Sequence, residues 1–196
     1  STYAGSAKLN LEPFSLEPAR EVLMKAAVYH GPGDIRVEEV DEPAIGDHEI
    51  LVRVRACGIC GSDLHLYKLG LFEDMLVRTT AYGGIPGHEF SGDVAAVGSQ
   101  VTGLTVGDRV ACVGMGGMAE YVPLFCLPGM NVHKMPPEVD YVAGATLEPL
   151  ANSLHATLKA RPQDGDNIVV FGCGVIGLGI LQCLRALELA PANLIA

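Results

Sequence analysis

Short runs rich in valine and alanine, each broken by Gly, Pro or Asp, dominate the chain from Met24 onward: KAAVYH, IRVEEV, EILVRVRACGI, SGDVAAVG, DRVACVG and AEYVPL. Runs of this length and composition predict β-strands joined by tight turns, arranged as an antiparallel barrel or sandwich. Helical spacing surfaces briefly in GSDLHLYKLG and then over Val139 to Lys159, where apolar positions recur every three or four residues. ARPQDGD reads as a linker. Beyond it, NIVVFGCGVIGLGILQCLRALELA reads as a buried strand, a glycine turn and an amphipathic helix, and PANLIA as the opening of a second, parallel strand. The expected organisation is mainly β with an α/β continuation. Residues 1–23 form an extension, with an added surface helix as an equal alternative; 24–160 form a β domain with its linking helix; 161–196 begin a parallel unit. One strand and one helix cannot close a layered core, so a longer parent or a partner chain is expected to complete the sheet.

Composition narrows the partners. Of 196 residues, 49% are hydrophobic and 18% charged, which suits a globular chain with a sizeable core. Thirteen Lys and Arg face 23 Asp and Glu, a net charge of -10, and no stretch gathers basic residues, so neither nucleic acid nor an anionic membrane surface is expected as a partner. No apolar run approaches the roughly 20 residues that span a bilayer, and residues 1–23 lack a secretory pattern, so the cytoplasm is the expected location. The six cysteines (Cys57, Cys60, Cys112, Cys126, Cys173, Cys183) are scattered, as thiols that are buried or used in chemistry are, and no disulfide framework is expected.

The chemistry concentrates in ACGICGSDLH, residues 56–65, and IPGHEFSGDVAAVG, residues 85–98. A thiolate, an imidazole and a carboxylate drawn from separate loops are what an open catalytic zinc site uses, and the candidates are Cys60, His88, Glu89 and Glu148. Cys57 with Cys60 would also suit a zinc knuckle, but no second pair stands at similar spacing, and Cys57 reads as a small apolar residue at a strand end. GCGVIGLG follows a strand and opens a helix, where backbone amides and the helix dipole can face a pyrophosphate. His30, His48, His133 and His155 read as solvated or locally bonded. Tyr67, Leu69 and Phe72 lie toward a pocket mouth, though apolar residues at such places are more often packing.

Together these segments resemble the zinc-dependent medium-chain alcohol dehydrogenase superfamily, and particularly its polyol and threonine dehydrogenase-like branch, over roughly residues 24–196. The resemblance rests on Gly87-His88-Glu89 with Gly92, Gly98 and Val101, then Gly107-Asp108-Arg109-Val110, Glu148-Pro149-Leu150, and Gly172, Gly174 and Gly177. It implies a GroES-like catalytic barrel followed by the first strand and helix of an incomplete Rossmann domain. It also implies that Cys60 and His88 ligate zinc, that Glu89 binds the metal or steps back from it, and that Glu148 stands where other branches carry a second cysteine. By the same resemblance Ser62 bonds the alcohol, His65 passes the proton outward, and Asp63 orients the His88 ring from behind. Without the resemblance, Ser62 reads as a helix cap and His65 as a surface imidazole. Gly172, Gly174, Gly177, Val175 and Ile176 would cradle NAD or NADP; the acidic residue that chooses between them would fall past Ala196.

One departure stands out. DRVACVGMGGMAEYV runs almost directly into the next strand, where many relatives carry a lobe of four cysteines, so one catalytic zinc and no structural zinc are expected. The expected function is a zinc-dependent NAD(P) oxidoreductase acting on a small alcohol or carbonyl, present as its N-terminal half, assembled as a homo-oligomer or completed by a partner chain, and inactive as 196 residues alone. The alternatives are a non-catalytic zinc-binding or interaction subunit and, last, a zinc-free quinone reductase-like enzyme, which has no need of Cys60 and His88 together.

Overall fold

The computed structural model describes residues 22–79, 83–127 and 129–196, so the expected extension lies outside the described residues apart from 22 and 23. The first strands are β1 (Leu23–Gly31), β2 (Asp34–Asp41), β3 (Glu49–Cys57), β4 (Val77–Thr79) and β5 (Gly83–Ile85). After them come β6 (Glu89–Val97), β7 (Arg109–Val113), β8 (Tyr121–Phe125) and β9 (Val132–Lys134). They form two antiparallel sheets, in the orders β2-β1-β5-β4 and β8-β3-β6-β7-β9. Val, Ile and Phe fill the space between strands: Ile50, Val52, Phe90, Val94, Val110 and Val122 form the larger core, and Met24, Ala26, Val28, Val40 and Ile85 a smaller one. Each such side chain contributes on the order of 1.5–3 kcal/mol by leaving water.

The loop between β7 and β8 stitches the sheets together. Ala26 bridges Ala119, the Ala27 amide donates to the Met118 carbonyl at 2.8 Å, and the Glu120 amide donates to the Lys25 carbonyl at 3.0 Å. The same loop grips the segment ahead of β6, because the Gly117 and Met118 amides donate to the carbonyls of Gly87 (2.9 Å) and Pro86 (3.0 Å). The backbone that presents His88 is therefore held from both sheets.

Four helices are described: α1 (Gly61–Leu69), α2 (Tyr141–Ala145), α3 (Leu147–Ala160) and α4 (Val175–Ala186). The helical stretch expected as one piece over Val139 to Lys159 is thus two, broken at Thr146. Pro149 explains the break: inside a continuous helix it would lack the amide needed by the turn before it, whereas in the first turn of α3 that amide has no partner to lose. Asp140 caps α2 by accepting the Ala143 amide at 2.7 Å.

Strands β10 (Asn167–Val169) and β11 (Asn193–Ile195) pair in parallel through the α4 crossover. Ser153, fully buried on α3, donates to the carbonyls of Pro149 (2.9 Å) and Ile176 (3.1 Å) and so fastens the linking helix to α4. The strand text read as buried is only partly so: Val170 is buried, but Val169 is 49% and Phe171 95% exposed, because α3 and α4 cover only part of a two-stranded layer. Among the described residues no helix is long and apolar enough to cross a membrane.

Candidate metal centre and nucleotide cleft

Cys60 is the N-cap of α1, and Asp63 in the first turn closes a capping box by accepting the Cys60 amide on Oδ2 at 2.8 Å. The Asp63 Oδ1 accepts the Gly87 amide at 3.3 Å. One buried carboxylate thereby ties the loop bearing Cys60 to the loop bearing His88. The distance from Asp63 Oδ1 to His88 Nδ1 is 3.9 Å, beyond a hydrogen bond, so Asp63 holds the backbone in front of His88 rather than bonding its ring.

Gly87 has φ +89°, and a Cβ there would stand 2.8 Å from Cys57 Sγ and 2.9 Å from the Met118 amide nitrogen, which leaves room for glycine alone. Glu89 opens β6, and its carbonyl accepts the Gly58 amide at 2.7 Å, a second tie between the two loops. These constraints bring Cys60 Sγ, a His88 ring nitrogen and a Glu89 carboxylate oxygen within 4.8 Å of one another.

The electrostatics of that trio call for a cation. Glu89 is 7% exposed and its side chain forms no ion pair with Lys or Arg among the described residues. Burial lifts its pKa; the Cys60 thiol beside it draws it part of the way back, and the Glu148 charge nearby lifts it further. Sulfur, imidazole nitrogen and carboxylate oxygen converging within 4.8 Å, with no Lys or Arg paired to the carboxylate among the described residues, form a donor set that fits a zinc ion. Next door, the Cys57 thiol is pushed up to about 12 by burial and by the Asp63 and Glu89 carboxylates, which leaves it a packed, protonated side chain.

Glu148 stands apart from the trio. It sits half-buried in the first turn of α3, and its Oε1 accepts the Asn152 side-chain amide at 2.8 Å. Asn152 was not singled out from the sequence, although its spacing of four from Glu148 on one helix face is a usable signal. A second overlooked group holds α2 in place. The Tyr141 hydroxyl donates to Asp93, Arg55 Nε donates to Asp93 Oδ2 at 2.7 Å, and the Arg109 guanidinium lies 4.6 Å from the Tyr141 ring centroid. Arg109 also donates to the Pro137 carbonyl at 3.2 Å, so the Asp-Arg-Val segment fastens β7 to the turn that leads into α2 and α3.

A cleft of about 740 Å³ runs from Cys60, His88, Glu89 and Glu148 to the glycine turn, where Gly172, Gly174, Val175, Ile176 and Gly177 line it. Gly174 caps α4, and a Cβ on Gly177 would meet the Gly172 carbonyl oxygen at 1.8 Å, so the turn needs glycine at that crossing. Ser62 lies half-buried one position into α1 and lines a neighbouring hollow with His88. It does not cap the helix, since Cys60 holds that place. His65 is exposed one turn on, and no hydrogen bond joins it to Ser62 among the described residues. Phe72 reaches the same hollow, whereas Tyr67 and Leu69 belong to the exposed side of α1. Cys112 and Cys126 are both buried in the larger barrel core, and His30 pairs with Glu38 at 2.8 Å on the surface.

Comparison with known proteins agrees with this arrangement. Residues 46–137 match the alcohol dehydrogenase GroES-like domain. The chain is 37% identical over 194 residues to the (R,R)-butanediol dehydrogenase of Bacillus subtilis (strain 168), covering 83% of this chain and 55% of that protein. It is 33% identical over 188 residues to the sorbitol dehydrogenase of Bombyx mori, covering 83% and 53%. Among solved structures it superposes on a short chain alcohol dehydrogenase from Escherichia coli CFT073 complexed with NADH, at TM-score 0.73 and 28% identity, over 88% of this chain and 56% of that one. The chain thus spans about half the length of the curated relatives it matches. With the trio and the glycine turn arranged on one cleft, the chain belongs to the zinc-dependent medium-chain alcohol dehydrogenase superfamily, on its polyol dehydrogenase-like side.

Proposed function

We propose that this chain supplies the metal-binding part, and the first nucleotide-contacting part, of a zinc-dependent NAD(P) oxidoreductase that moves a hydride between a secondary alcohol and nicotinamide. The observation that carries this reading is the cleft that Cys60, His88 and Glu89 share with the glycine turn at Gly172–Gly177. Cys60, His88 and Glu89 hold one zinc per chain, which supplies Lewis acidity to the substrate oxygen. Glu148, steadied by Asn152, faces the same cleft and adjusts the charge around the trio. Asp63 is a positioning residue that fixes the Cys60 and His88 loops against each other.

Ser62 accepts the hydroxyl proton of the alcohol as it passes its own to a bridging water or nucleotide hydroxyl, and His65, exposed one turn on and not bonded to Ser62 directly, takes the proton from that bridge to solvent. The glycine turn and the N-terminus of α4 take the pyrophosphate of NAD or NADP, with Val175 and Ile176 against the nucleotide. Cys112 and Cys126 stay buried as core thiols, and no second zinc is bound. The whole enzyme works in the cytoplasm, where six free thiols persist, and a homo-oligomer or a partner chain covers the β10–β11 layer.

The test is metal content by native mass spectrometry with chelator competition. One zinc per chain is expected, with affinity reduced at least about 100-fold in Cys60→Ser and His88→Ala and unchanged in the surface control His155→Ala. Two zincs per chain, or undiminished binding in both site variants, would overturn the assignment.

A further inference from the structure

Glu148 and Asn152 stand one turn apart on the same face of α3 and together line both the large cleft and a neighbouring hollow of about 420 Å³ beside β7 and β9. Open space therefore lies on both sides of the Glu148 carboxylate, and packing does not fix where it points. The Asn152 side-chain amide fixes it instead. Its Nδ2 carries two hydrogens and donates to Glu148 Oε1 at 2.8 Å and to the Glu148 carbonyl at 3.2 Å. That carbonyl belongs to the helix backbone and cannot move, so the amide folds the carboxylate back along α3. The helix itself is pinned, because buried Ser153 donates to the carbonyls of Pro149 and Ile176. Asparagine is among the weaker helix formers, and at an exposed position inside α3 these two bonds are what it contributes.

Resting on the metal site proposed above, we infer that Asn152 is a positioning residue that holds Glu148 off the zinc and so keeps the fourth coordination position open for the substrate oxygen. Cys60, His88 and Glu89 converge within 4.8 Å and supply sulfur, nitrogen and oxygen, while Glu148 lines the same cleft outside that group. Three protein donors leave a tetrahedral zinc one free position, and a fourth would close it in the manner of a structural site. Glu148 is the carboxylate able to do so, since its charge stands near enough to Glu89 to lift the pKa of that group. The same closeness sets the two carboxylates against each other. Repulsion from Glu89 opposes the entry of Glu148 and attraction to the metal favours it, so the hydrogen bonds of one amide are enough to decide the outcome. Without them the carboxylate turns about its own side-chain torsions into the space of the cleft.

Cobalt(II) reads coordination directly, because a thiolate ligand gives it a charge-transfer band and its visible d–d bands report the number of ligands. The full chain is loaded with one equivalent of cobalt and titrated with imidazole, at a pH where imidazole is neutral and a changed charge at position 148 neither attracts nor repels it. In the parent chain imidazole is expected to enter the open position saturably. Asn152→Leu, a better helix former of nearly the same size, should weaken imidazole binding at least about tenfold as Glu148 takes that position, and adding Glu148→Gln to the same chain should restore it. Glu148→Gln alone should leave imidazole affinity unchanged, because the carboxylate already stands off the metal. Undiminished imidazole binding in Asn152→Leu, or a loss that persists in the double variant, would overturn the inference. So would a large gain in imidazole affinity in Glu148→Gln alone, a result that does not depend on whether Asn152→Leu folds. A parent chain that shows no charge-transfer band, or one that survives in Cys60→Ser, defeats the proposed metal site and this inference with it; a normal band with the wrong imidazole pattern defeats this inference alone.

Discussion

Asp93 shows how one side chain can serve the site without touching it. Burial raises the cost of its charge, yet the hydrogen bonds from Tyr141 and Arg55 outweigh that cost and hold its pKa below the ordinary 3.8 of an aspartate. A carboxylic acid depressed in the folded state contributes stability above its unfolded pKa and loses it as pH falls through the folded one. Asp93→Asn should therefore lower unfolding free energy by about 1–3 kcal/mol at pH 7, and the gap to the parent chain should close as pH drops below 3.8, read by urea denaturation at stepped pH. A penalty that stays constant down to acid pH would show that the network owes nothing to the charge. Neither Asp93 nor Tyr141 was visible as functional in the sequence, because their pairing joins β6 to a helix 48 positions away and leaves no local pattern. Asp63 was visible, but its target was not: its position in the first turn of α1 is written in the Cys-x-x-Asp spacing, whereas its second bond goes to Gly87 on another loop.

The glycine turn belongs to the element scale, where strand, turn and helix must close on one another. A Cβ on Gly177 would lie 1.8 Å from the Gly172 carbonyl oxygen, and backbone rather than a flexible side-chain tip would have to yield. Gly177→Ala should cost about 1–3 kcal/mol within the β10–α4 unit and open residues 161–196 to limited proteolysis, while the barrel and its zinc content stay unchanged. Cleavage no faster than in the parent would show that the turn relaxes freely. The sequence placed this turn correctly because glycine spacing after a strand is a local signal. The reading of the helix before it as one piece followed the apolar spacing, which runs through Thr146 without interruption, and passed over the local signal of Pro149, whose missing amide suits the first turn of a new helix.

Across the whole molecule, stability is unevenly distributed. Ile50, Val52, Phe90 and Val110 are fully buried between paired strands, whereas Leu194 and Ile195 of the β10–β11 layer are 42% and 58% exposed. Opening free energies follow burial, so amide exchange by mass spectrometry should be slower in β3, β6 and β7 than in β10 and β11 by about 100-fold or more. Equal protection would mean that the parallel layer is as firmly packed as the barrel. The residue types, the short strands, the glycine turn and the family signature were determined by the sequence itself, because periods of two and of three to four residues, and fixed motif spacings, are local properties of a chain. The tertiary structure alone decided that Cys60, His88 and Glu89 meet within 4.8 Å while Glu148 lines the same cleft outside that group, bonded to Asn152. Distances between loops depend on how two sheets are stitched at Ala119 and Met118 and how Arg109 and Tyr141 seat the helices, and such packing is summed over the whole molecule rather than encoded at any one position.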